Sequence, residues 1–337
     1  MAQSTDRPAI VAVDCGGTSA KATLRTARER HRFAGEASLS GYLDPREIPT
    51  VLDAILAPIE NAWSQSAAGP VVVVIGAAGF TPGLRDVFRA AIAQIMPRAF
   101  GGAVTGAAVM NDATALLLGH DADGVVVAGT GSSVLIRSGD DVVTGGGHDW
   151  AASDEGSGFW IGLQGIRQVA RDVDADRPSA LRDAFGATYS PRDDVAGLRE
   201  LAVAGPRMKA EIARFSAGVC AAAADGDTAA TEVLRSEAHA LVDLLARTAV
   251  RAGSPTSLVA CGGMLTEPGY RTLVVREAER VVPGLRWRFV DDGLEAVERS
   301  ADVLHRDPAA WDALSDSLRP LVWSPDRSAR RRPRDVS

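Results

Sequence analysis

The sequence is poor in cysteine and has no long apolar segment. Its three cysteines are Cys15, Cys220 and Cys261, and an odd number without a Cys-x-x-Cys pair disfavours a disulfide framework or a zinc site. No apolar core precedes the first predicted strand near the N-terminus, and no uninterrupted apolar run reaches the length of a membrane span. We therefore expect a cytoplasmic protein that is neither secreted nor embedded in a membrane.

Positive charge is also scarce, and nearly all of it is arginine. The chain holds 36 Lys and Arg against 43 Asp and Glu, which gives a net charge of −7, and its only lysines are Lys21 and Lys209. This balance gives no reason to expect nucleic acid or an anionic membrane as a partner. The exception is an arginine-rich stretch after Trp323, which we interpret as a disordered, solvated tail over 324–337.

What the chain does contain is a regular alternation of strand and helix patterns. At 337 residues it can bury a large core and divide into two domains. Short apolar runs predict strands, 3.6-residue periodicity predicts helices, and their alternation predicts an α/β architecture. The main predicted strands are 9–14, 20–26, 30–34, 71–76, 104–110, 141–144, 257–261 and 285–290. The main predicted helices are 46–66, 83–96 (ending before Pro97), 112–119, 208–224, 228–251, 268–281 and 293–305.

The first pair of strands carries a distinctive turn, Asp14-Cys15-Gly16-Gly17-Thr18, with Lys21 close behind it. Two glycines let the backbone turn sharply and approach a ligand, and consecutive amide groups in such a turn can bind an anion. Asp14 is placed where a carboxylate can hold a metal ion beside a phosphate. The motif is neither a Walker A loop nor a dinucleotide-binding fingerprint, and a plain hairpin with a solvated lysine explains the same residues.

The same scheme returns at 124–137, where Gly129-Thr130-Gly131-Ser132 separates two apolar strands. This is an internal duplication at the scale of a domain. We expect an N-terminal domain over 1–118, completed by a C-terminal helix at about 293–320, and a second domain over 119–292 with a helical insertion. Duplicated halves predict a ligand cleft between them.

Five short motifs in this order carry a resemblance to a known family. They are Asp14-Cys15-Gly16-Gly17-Thr18, Asn111-Asp112-Ala113, Gly129-Thr130-Gly131-Ser132, Asp154-Glu155-Gly156-Ser157-Gly158 and Cys261-Gly262-Gly263. Over residues 9 to 305 the chain resembles the N-acetylglucosamine kinase and BadF/BadG/BcrA/BcrD ATPase family of the actin–hexokinase superfamily. The resemblance implies two actin-like (ribonuclease H-like) α/β domains with a nucleotide cleft between them, and ATP with Mg²⁺ as cofactors.

The resemblance assigns the nucleotide to three glycine-containing turns. The expected ATP phosphate-binding residues are Gly16, Gly17, Thr18, Lys21, Gly129, Thr130, Gly131 and Ser132. Those expected against the adenosine are Gly262 and Gly263. Asp14 is expected to hold Mg²⁺ through water, because Mg²⁺ keeps several waters and uses few carboxylates. The structural alternatives are ordinary turns, with Asp14 capping the first.

On the acceptor side, the resemblance makes Asp112 the general base that takes the proton of the acceptor hydroxyl. Alternatively, Asp112 only caps the helix that begins there. Asp154 is expected to bind sugar hydroxyls, the alternative being that Ser153 or Asp154 caps the following helix and complements its dipole. The expected substrate-binding residues are Asn111, Ser133, Gly147, His148, Asp154 and Ser40.

The acceptor side departs from the pattern that is common in related sugar kinases. The stretch before the Asp-Glu-Gly-Ser block reads Gly145-Gly146-Gly147-His148-Asp149-Trp150 in place of Gly-Gly-Trp-Gly. Ser133 stands where an asparagine is common, and Ser40 is the nearest candidate for a second asparagine. His148 either contacts a substrate or packs. The sequence therefore favours ATP use and leaves the identity of the sugar open.

We expect an ATP-dependent sugar kinase that transfers the γ-phosphoryl group to a hydroxyl, O6 in the leading hypothesis, of an amino sugar such as N-acetylglucosamine or glucosamine. The partner is then a small molecule, and a homodimer stays open. One alternative is a BadF-type ATPase, for which the three cysteines lack an iron–sulfur spacing. The other is a nucleotide-binding sensor, against which the presence of Asp14 and Asp112 argues.

Overall fold

In the computed structural model of this chain, the described residues are 7–39, 43–66, 69–189, 194–202, 208–307 and 309–325. The strands within these ranges are β1 (Ala9–Cys15), β2 (Ala20–Arg25), β3 (Arg30–Gly35), β4 (Val71–Ala77), β5 (Val104–Met110), β6 (Gly124–Ala128), β7 (Ser132–Ser138), β8 (Asp141–Gly146), β9 (Ser257–Cys261), β10 (Arg286–Val290) and β11 (Leu321–Trp323). The helices are α1 (Ile48–Gln65), α2 (Arg85–Phe100), α3 (Asp112–His120), α4 (Gly158–Asp174), α5 (Ala180–Tyr189), α6 (Asp194–Ala202), α7 (Met208–Arg214), α8 (Ser216–Ala224), α9 (Thr228–Ala252), α10 (Gly263–Thr266), α11 (Pro268–Val281) and α12 (Leu294–Arg306). Among the described residues, no helix is long and apolar enough to cross a membrane. Residues 326–337, most of the predicted tail, lie outside these ranges.

The chain divides into two compact units: Met1–Asp121 with Asp292–Ser337 form unit 1, and Ala122–Asp291 form unit 2. Unit 1 contains a sheet of order β11-β5-β4-β1-β2-β3, and unit 2 a sheet of order β10-β9-β6-β7-β8. In each sheet, three strands that follow one another in sequence pair antiparallel, and the first of them also pairs parallel with a later strand. The repeated topology confirms the predicted α/β class and the duplication suggested by the two glycine turns.

The central strands of unit 1 are apolar throughout because both faces of the sheet are covered. On β1, Val11 and Val13 point into a core shared with α1 and α2. Ile10 and Ala12 point into a second core shared with α3 and α12. A continuous apolar run is therefore needed where a half-exposed strand would alternate with polar residues.

Helix α3 is held close to α12 and β4 because glycines remove side-chain bulk at the contacts. A Cβ atom on Gly119 would lie 2.3 Å from the carbonyl oxygen of Ala296. A Cβ atom on Gly76 would lie 3.2 Å from Cγ2 of Val297 and 3.6 Å from the Cα of Asp112. This packing fixes Asp112, the first residue of α3, close to the carboxyl end of β4.

Three sequence predictions about helices are wrong in their bounds. Helix α2 does not end before Pro97 but continues to Phe100, which is fully buried in the core and holds the last turn in place. The predicted helix over 208–224 is two helices, α7 and α8, which meet at the buried Phe215. The C-terminal helix ends at Arg306 rather than near 320, and β11 then pairs antiparallel with β5 at the edge of the sheet. A three-residue strand is too short to show a periodic pattern in the sequence.

Candidate active site

The first glycine turn joins β1 to β2 through residues 16–19. The amide of Gly16 donates to the carbonyl of Ser19 at 3.1 Å, and Gly17 and Thr18 are exposed. The hydroxyl of Ser38, after β3, donates to the carbonyl of Gly17 at 3.2 Å and supports the turn. The amides of Gly17, Thr18 and Ser19 donate no hydrogen bond to any residue that the structure describes. They are thus available for an anionic ligand.

Lys21 follows this turn on β2 and lies opposite Asp14 in the strand register. Its ammonium group is 3.6 Å from the carboxylate of Asp292, which also pairs with Arg32. The Lys21 side chain is 39% exposed, so this ion pair is weakened by water. The ammonium group of Lys21 therefore lies near the carboxylates of Asp292 and Asp14. A contact between Lys21 and a phosphate stays a prediction.

Asp14 lies near the end of β1, beside the start of α12. Its Oδ2 accepts the amide of Gly293 at 2.8 Å, and a Cβ atom on Gly293 would lie 2.8 Å from Oδ1. Burial raises the pKa of Asp14, against the lowering effect of the Gly293 hydrogen bond, and Asp292 raises it further. Because burial and Asp292 disfavour the negative charge of Asp14, a cation bound beside this carboxylate would stabilise that charge.

Mg²⁺ is the cation that such a sparse oxygen site suits, because it binds through one or two carboxylates, several waters and phosphate oxygens. No group of three or more His, Cys, Asp or Glu with metal-binding geometry occurs among the described residues. A single aspartate beside a phosphate turn therefore agrees with the chemistry of Mg²⁺ better than with that of a structural zinc site.

At the start of α3, Asn111 caps the helix, and Asp112 is the first residue of the helix itself. Asn111 is the N-cap: its side-chain oxygen accepts the amide of Ala113 at 3.0 Å, while its side-chain nitrogen donates to the carbonyl of Ala78 at 3.3 Å. Asp112 is the first helical residue, and its carboxylate also accepts the Ala113 amide, at 2.8 Å. Burial and the negative charge of Asp14 raise the pKa of Asp112 to about 6. A base of that strength works close to neutral pH.

The second glycine turn, between β6 and β7, is anchored by the start of α4. The amides of Gly158 and Phe159 donate to the carbonyls of Gly129 and Thr130 at 2.7 and 3.3 Å. The amide of Gly129 donates to the carbonyl of Gly131 at 2.9 Å. The amides of Thr130 and Gly131 donate no hydrogen bond to any group within the described ranges. The helix thus satisfies the carbonyls of the turn and leaves two amides for a ligand.

The turn expected at the adenosine lies directly against this second glycine turn. Gly262, between β9 and α10, has φ +111°, and a Cβ atom there would lie 2.4 Å from the carbonyl oxygen of Ala128 and 2.8 Å from the amide nitrogen of Gly129. Only glycine accepts both the conformation and the approach. Gly263 follows as the first residue of α10. The structure therefore brings these two predicted nucleotide turns together in unit 2.

Asp154 is buried beside the second turn. Its Oδ1 accepts the amide of Ser132 at 3.1 Å, and its Oδ2 pairs with Nζ of Lys209 at 2.6 Å. Gly131 permits this approach, since a Cβ atom there would lie 2.9 Å from Oδ1. The alternative in which Ser153 or Asp154 caps α4 is wrong, because Ser157 is the N-cap residue. Asp154 instead connects the loop before α4 to the second glycine turn.

Three of the other expected acceptor residues meet at the same place. The amide of Gly147 donates to the carbonyl of Ser132 at 3.0 Å, and a Cβ atom on Gly147 would lie 3.5 Å from the Cβ of Ser133. The exposed His148 donates its amide to the hydroxyl of Ser153 at 2.9 Å. Ser40 lies outside the described residues.

The predicted residues fall into two groups, one in each unit. Unit 1 carries the first glycine turn with Lys21, Asp14, Asn111 and Asp112, and unit 2 carries the second glycine turn, the turn expected at the adenosine, Ser133, Gly147, His148 and Asp154.

The sequence analysis missed three residues that hold the loop before α4. Lys209 pairs with Asp154, the carboxylate of Glu237 accepts the amide of Gly156 at 3.1 Å, and the hydroxyl of Tyr270 donates to the carbonyl of Gly156 at 2.8 Å. Signals for two of them exist in the sequence. Lys209 is one of two lysines, and helical spacing places Glu237 on the apolar face of α9 that carries Leu234 and Leu241.

The chain is similar to sugar kinases over different lengths. It is 29% identical over 175 residues to the glucosamine kinase GspK of Vibrio cholerae, across 50% of this chain and 56% of that kinase. The chain thus spans about half the length of this curated relative.

Solved structures share the fold over nearly the whole chain. A proposed N-acetylglucosamine kinase from Porphyromonas gingivalis has a TM-score of 0.68 at 20% identity, covering 90% of this chain and 100% of that one. Another, from Chromobacterium violaceum, has a TM-score of 0.66 at 21% identity, covering 88% and 99%. A ROK family glucokinase from Streptomyces griseus, solved with glucose and AMPPNP, has a TM-score of 0.54 at 19% identity, covering 88% and 99%. These matches confirm the predicted actin-like α/β domains.

A single protein family matches residues 11–283, which make up most of the chain. The motifs that carried the resemblance lie inside this range, from the first glycine turn to the turn after β9. The chain therefore belongs to the BadF/BadG/BcrA/BcrD ATPase family.

Proposed function

We propose that this protein is an ATP-dependent sugar kinase that transfers the γ-phosphoryl group to O6 of an amino sugar such as N-acetylglucosamine or glucosamine. The observation that carries the proposal is Asp112, a carboxylate at the start of a helix whose pKa is raised to about 6. A near-neutral base is what an alcohol acceptor requires, because its proton must leave as the new P–O bond forms.

The substrate class is supported by the relatives. The kinase from Vibrio cholerae is named for glucosamine, and those from Porphyromonas gingivalis and Chromobacterium violaceum for N-acetylglucosamine. On the acceptor side, the exposed His148 provides an imidazole for a sugar hydroxyl, while Asp154, whose two oxygens bind the Ser132 amide and Lys209, lies beside it in the same loop region. The proposed acceptor is therefore a small amino sugar.

The proposed reaction uses the chain's residues for binding, orientation and one proton transfer. The free amides of the two glycine turns bind the phosphates, and Gly262 and Gly263 lie against the adenosine. The acceptor oxygen attacks the γ-phosphorus, the bond to the β-phosphate oxygen breaks, and the acceptor proton passes to the carboxylate of Asp112 as ADP leaves. Asp14 would hold Mg²⁺ through water, and the ion would neutralise part of the phosphate charge.

A second candidate, ATP hydrolysis without a sugar, follows from the family itself, which is described as an ATPase family. Among the thiols, burial raises the pKa of Cys15 and of Cys220 to about 12, so both are protonated in this structure.

The test is ATP consumption measured with N-acetylglucosamine, with glucosamine, with neutral hexoses and without an acceptor. We expect turnover that depends on an amino sugar and is lost in Asp112→Asn. The matched control is Asp86→Asn, which also changes an aspartate in the first turn of a helix of unit 1, but a fully exposed one. Turnover that is equal with and without sugar would support the hydrolase instead.

A further inference from the structure

Lys209 is one of the two lysines of the chain, and it lies where two carboxylates of the loop before α4 converge. Its Nζ is 2.7 Å from Oδ1 of Asp149 and 2.6 Å from Oδ2 of Asp154. The lysine and Asp154 are largely removed from water, with side chains 16% and 4% exposed. An ion pair in such a place is screened much less than one at the surface.

Both aspartates adopt a backbone conformation that side chains disfavour. Asp149 has φ +72° and Asp154 has φ +69°, in the left-handed region that few residues other than glycine occupy. Aspartate adopts this conformation more readily than most residues, as Asp121 and Asp176 also do in this chain. The shared contact of these two residues is Lys209, which reaches them from the separate helix α7.

Asp154 connects Lys209 to the second glycine turn. Its Oδ2 binds Lys209 while its Oδ1 accepts the amide of Ser132, the residue that ends the turn. Gly131 lies against the same carboxylate, at a distance that leaves no room for a Cβ atom. A movement of the Asp154 carboxylate therefore moves the backbone of the turn.

We infer that Lys209 is a positioning residue: it neutralises and orients the Asp154 carboxylate, and through that carboxylate it sets the geometry of the phosphate turn at residues 129–132. This rests on the proposed function for its effect on turnover, but the contact itself is independent of the reaction. Without the ammonium group, Asp154 is a buried carboxylate with no compensating charge, and it must rotate toward water and release the Ser132 amide.

Hydrogen exchange of the turn tests the inference without any need for activity. In Lys209→Met, a peptide covering 128–134 should gain about one fast-exchanging amide, because Ser132 loses its acceptor. Lys209→Arg keeps the positive charge and should retain the protection. The matched control is Arg214→Met, which removes a cation from the same helix, where Arg214 pairs with Glu211 and lies over the ring of Tyr189. Unchanged exchange in Lys209→Met would overturn the inference.

Turnover supplies the second readout. Lys209→Met should lower kcat about 100-fold, the scale on which small misplacement of reacting groups acts, with a smaller change in KM for ATP. If Lys209 acts through Asp154, the double variant Lys209→Met with Asp154→Asn should be no slower than Asp154→Asn alone. It should also unfold at a higher temperature than Lys209→Met, because no buried charge is left unpaired. A further loss of kcat in the double variant would overturn the inference.

The two failures are distinguishable. If the wild-type protein consumes no ATP with any sugar, the proposed function fails, while the exchange experiment still decides whether Lys209 holds the turn. If the wild-type protein is an active kinase and both exchange and kcat of Lys209→Met equal those of Arg214→Met, the inference about Lys209 fails and the proposed function stands.

Discussion

Asp14 and Asp112 act on one another across Gly76. Asp14 pairs with Gly76 in the register of β1 and β4, and a Cβ atom on Gly76 would lie 3.6 Å from the Cα of Asp112. With only a glycine between them, the charge of Asp14 adds to the effect of burial and raises the pKa of Asp112 to about 6. The proposed general base and the proposed Mg²⁺ ligand are thus electrostatically linked within one unit.

The raised pKa predicts a pH dependence of turnover. A general base acts only when it is deprotonated, so kcat/KM for the sugar should fall tenfold per pH unit below the pKa of Asp112, which burial raises above its usual range. The measurement is kcat/KM between pH 4.5 and 8.5 with ATP and Mg²⁺ saturating. An activity that stays constant down to pH 5 would contradict the assignment of Asp112 as the base.

The same shift predicts that Asp112 destabilises the folded protein at neutral pH. The pKa of Asp112 in the folded protein lies about two units above its value in the unfolded chain, so folding favours the protonated carboxyl. This stabilisation is fully present below about pH 4 and is lost as the pH rises through 6 and the carboxyl ionises. At about 1.4 kcal/mol per unit, the cost reaches about 3 kcal/mol at pH 8. Asp112→Asn should therefore be more stable than the wild type at pH 8, and equal to it at pH 4, in urea unfolding.

Asp86→Asn serves as the comparison for that experiment, because Asp86 is fully exposed. Its unfolding free energy should match the wild type at both pH values within about 0.5 kcal/mol. Equal stability of Asp112→Asn and the wild type at pH 8 would show that the carboxylate is well solvated, against the account given for its pKa.

Gly131→Ala tests the contact between the second phosphate turn and Asp154. The new Cβ atom would lie 2.9 Å from Oδ1 of Asp154, so the carboxylate must shift away from the Ser132 amide. We expect kcat to fall about 100-fold while the protein stays folded. The matched variant is Gly186→Ala in α5, where a Cβ atom meets nothing within 4 Å. Kinetics of Gly131→Ala equal to those of Gly186→Ala would exclude a tight contact.

Tyr270→Phe tests the support of the loop before α4. The phenol is fully buried and donates to the carbonyl of Gly156 at 2.8 Å. Its removal leaves a buried carbonyl without that donor, so we expect a loss of about 1–3 kcal/mol in the free energy of unfolding. Glu237→Gln keeps an acceptor for the Gly156 amide and should cost less. A loss below 0.5 kcal/mol in Tyr270→Phe would argue that water satisfies the carbonyl.

Much of the fold could be predicted because its signals are local. The apolar run Val71–Ile75 reads as a strand because both faces of β4 are covered, and the two glycine turns mark the duplicated topology that both sheets share. Helix ends were less predictable. Pro97 suggests an end to α2, but burial of Phe100 in the core outweighs the lost hydrogen bond and carries the helix on.

For the candidate site too, the residues in local motifs could be predicted, and the contacts between distant residues could not. Glycines and acids in the turns are visible as short motifs, so Gly129–Ser132 and Asp112 could be named from the sequence. The partners of Lys209 could not be predicted, although lysine is scarce in the chain, because its two aspartates lie 55 and 60 positions away. Asp154 could be named from its motif, but its bond to the amide of Ser132 could not be predicted.

Transfer to a sugar and hydrolysis are separated by following the γ-phosphoryl group itself. ATP labelled with ¹⁸O in the γ-phosphoryl group is incubated with the protein, Mg²⁺ and either N-acetylglucosamine or glucosamine, and the products are separated by mass spectrometry. We predict that the wild type yields a sugar monophosphate whose labelled phosphoryl group is attached to O6, and that Asp112→Asn yields no labelled sugar. Label that accumulates only in inorganic phosphate would contradict the sugar kinase and establish a hydrolase.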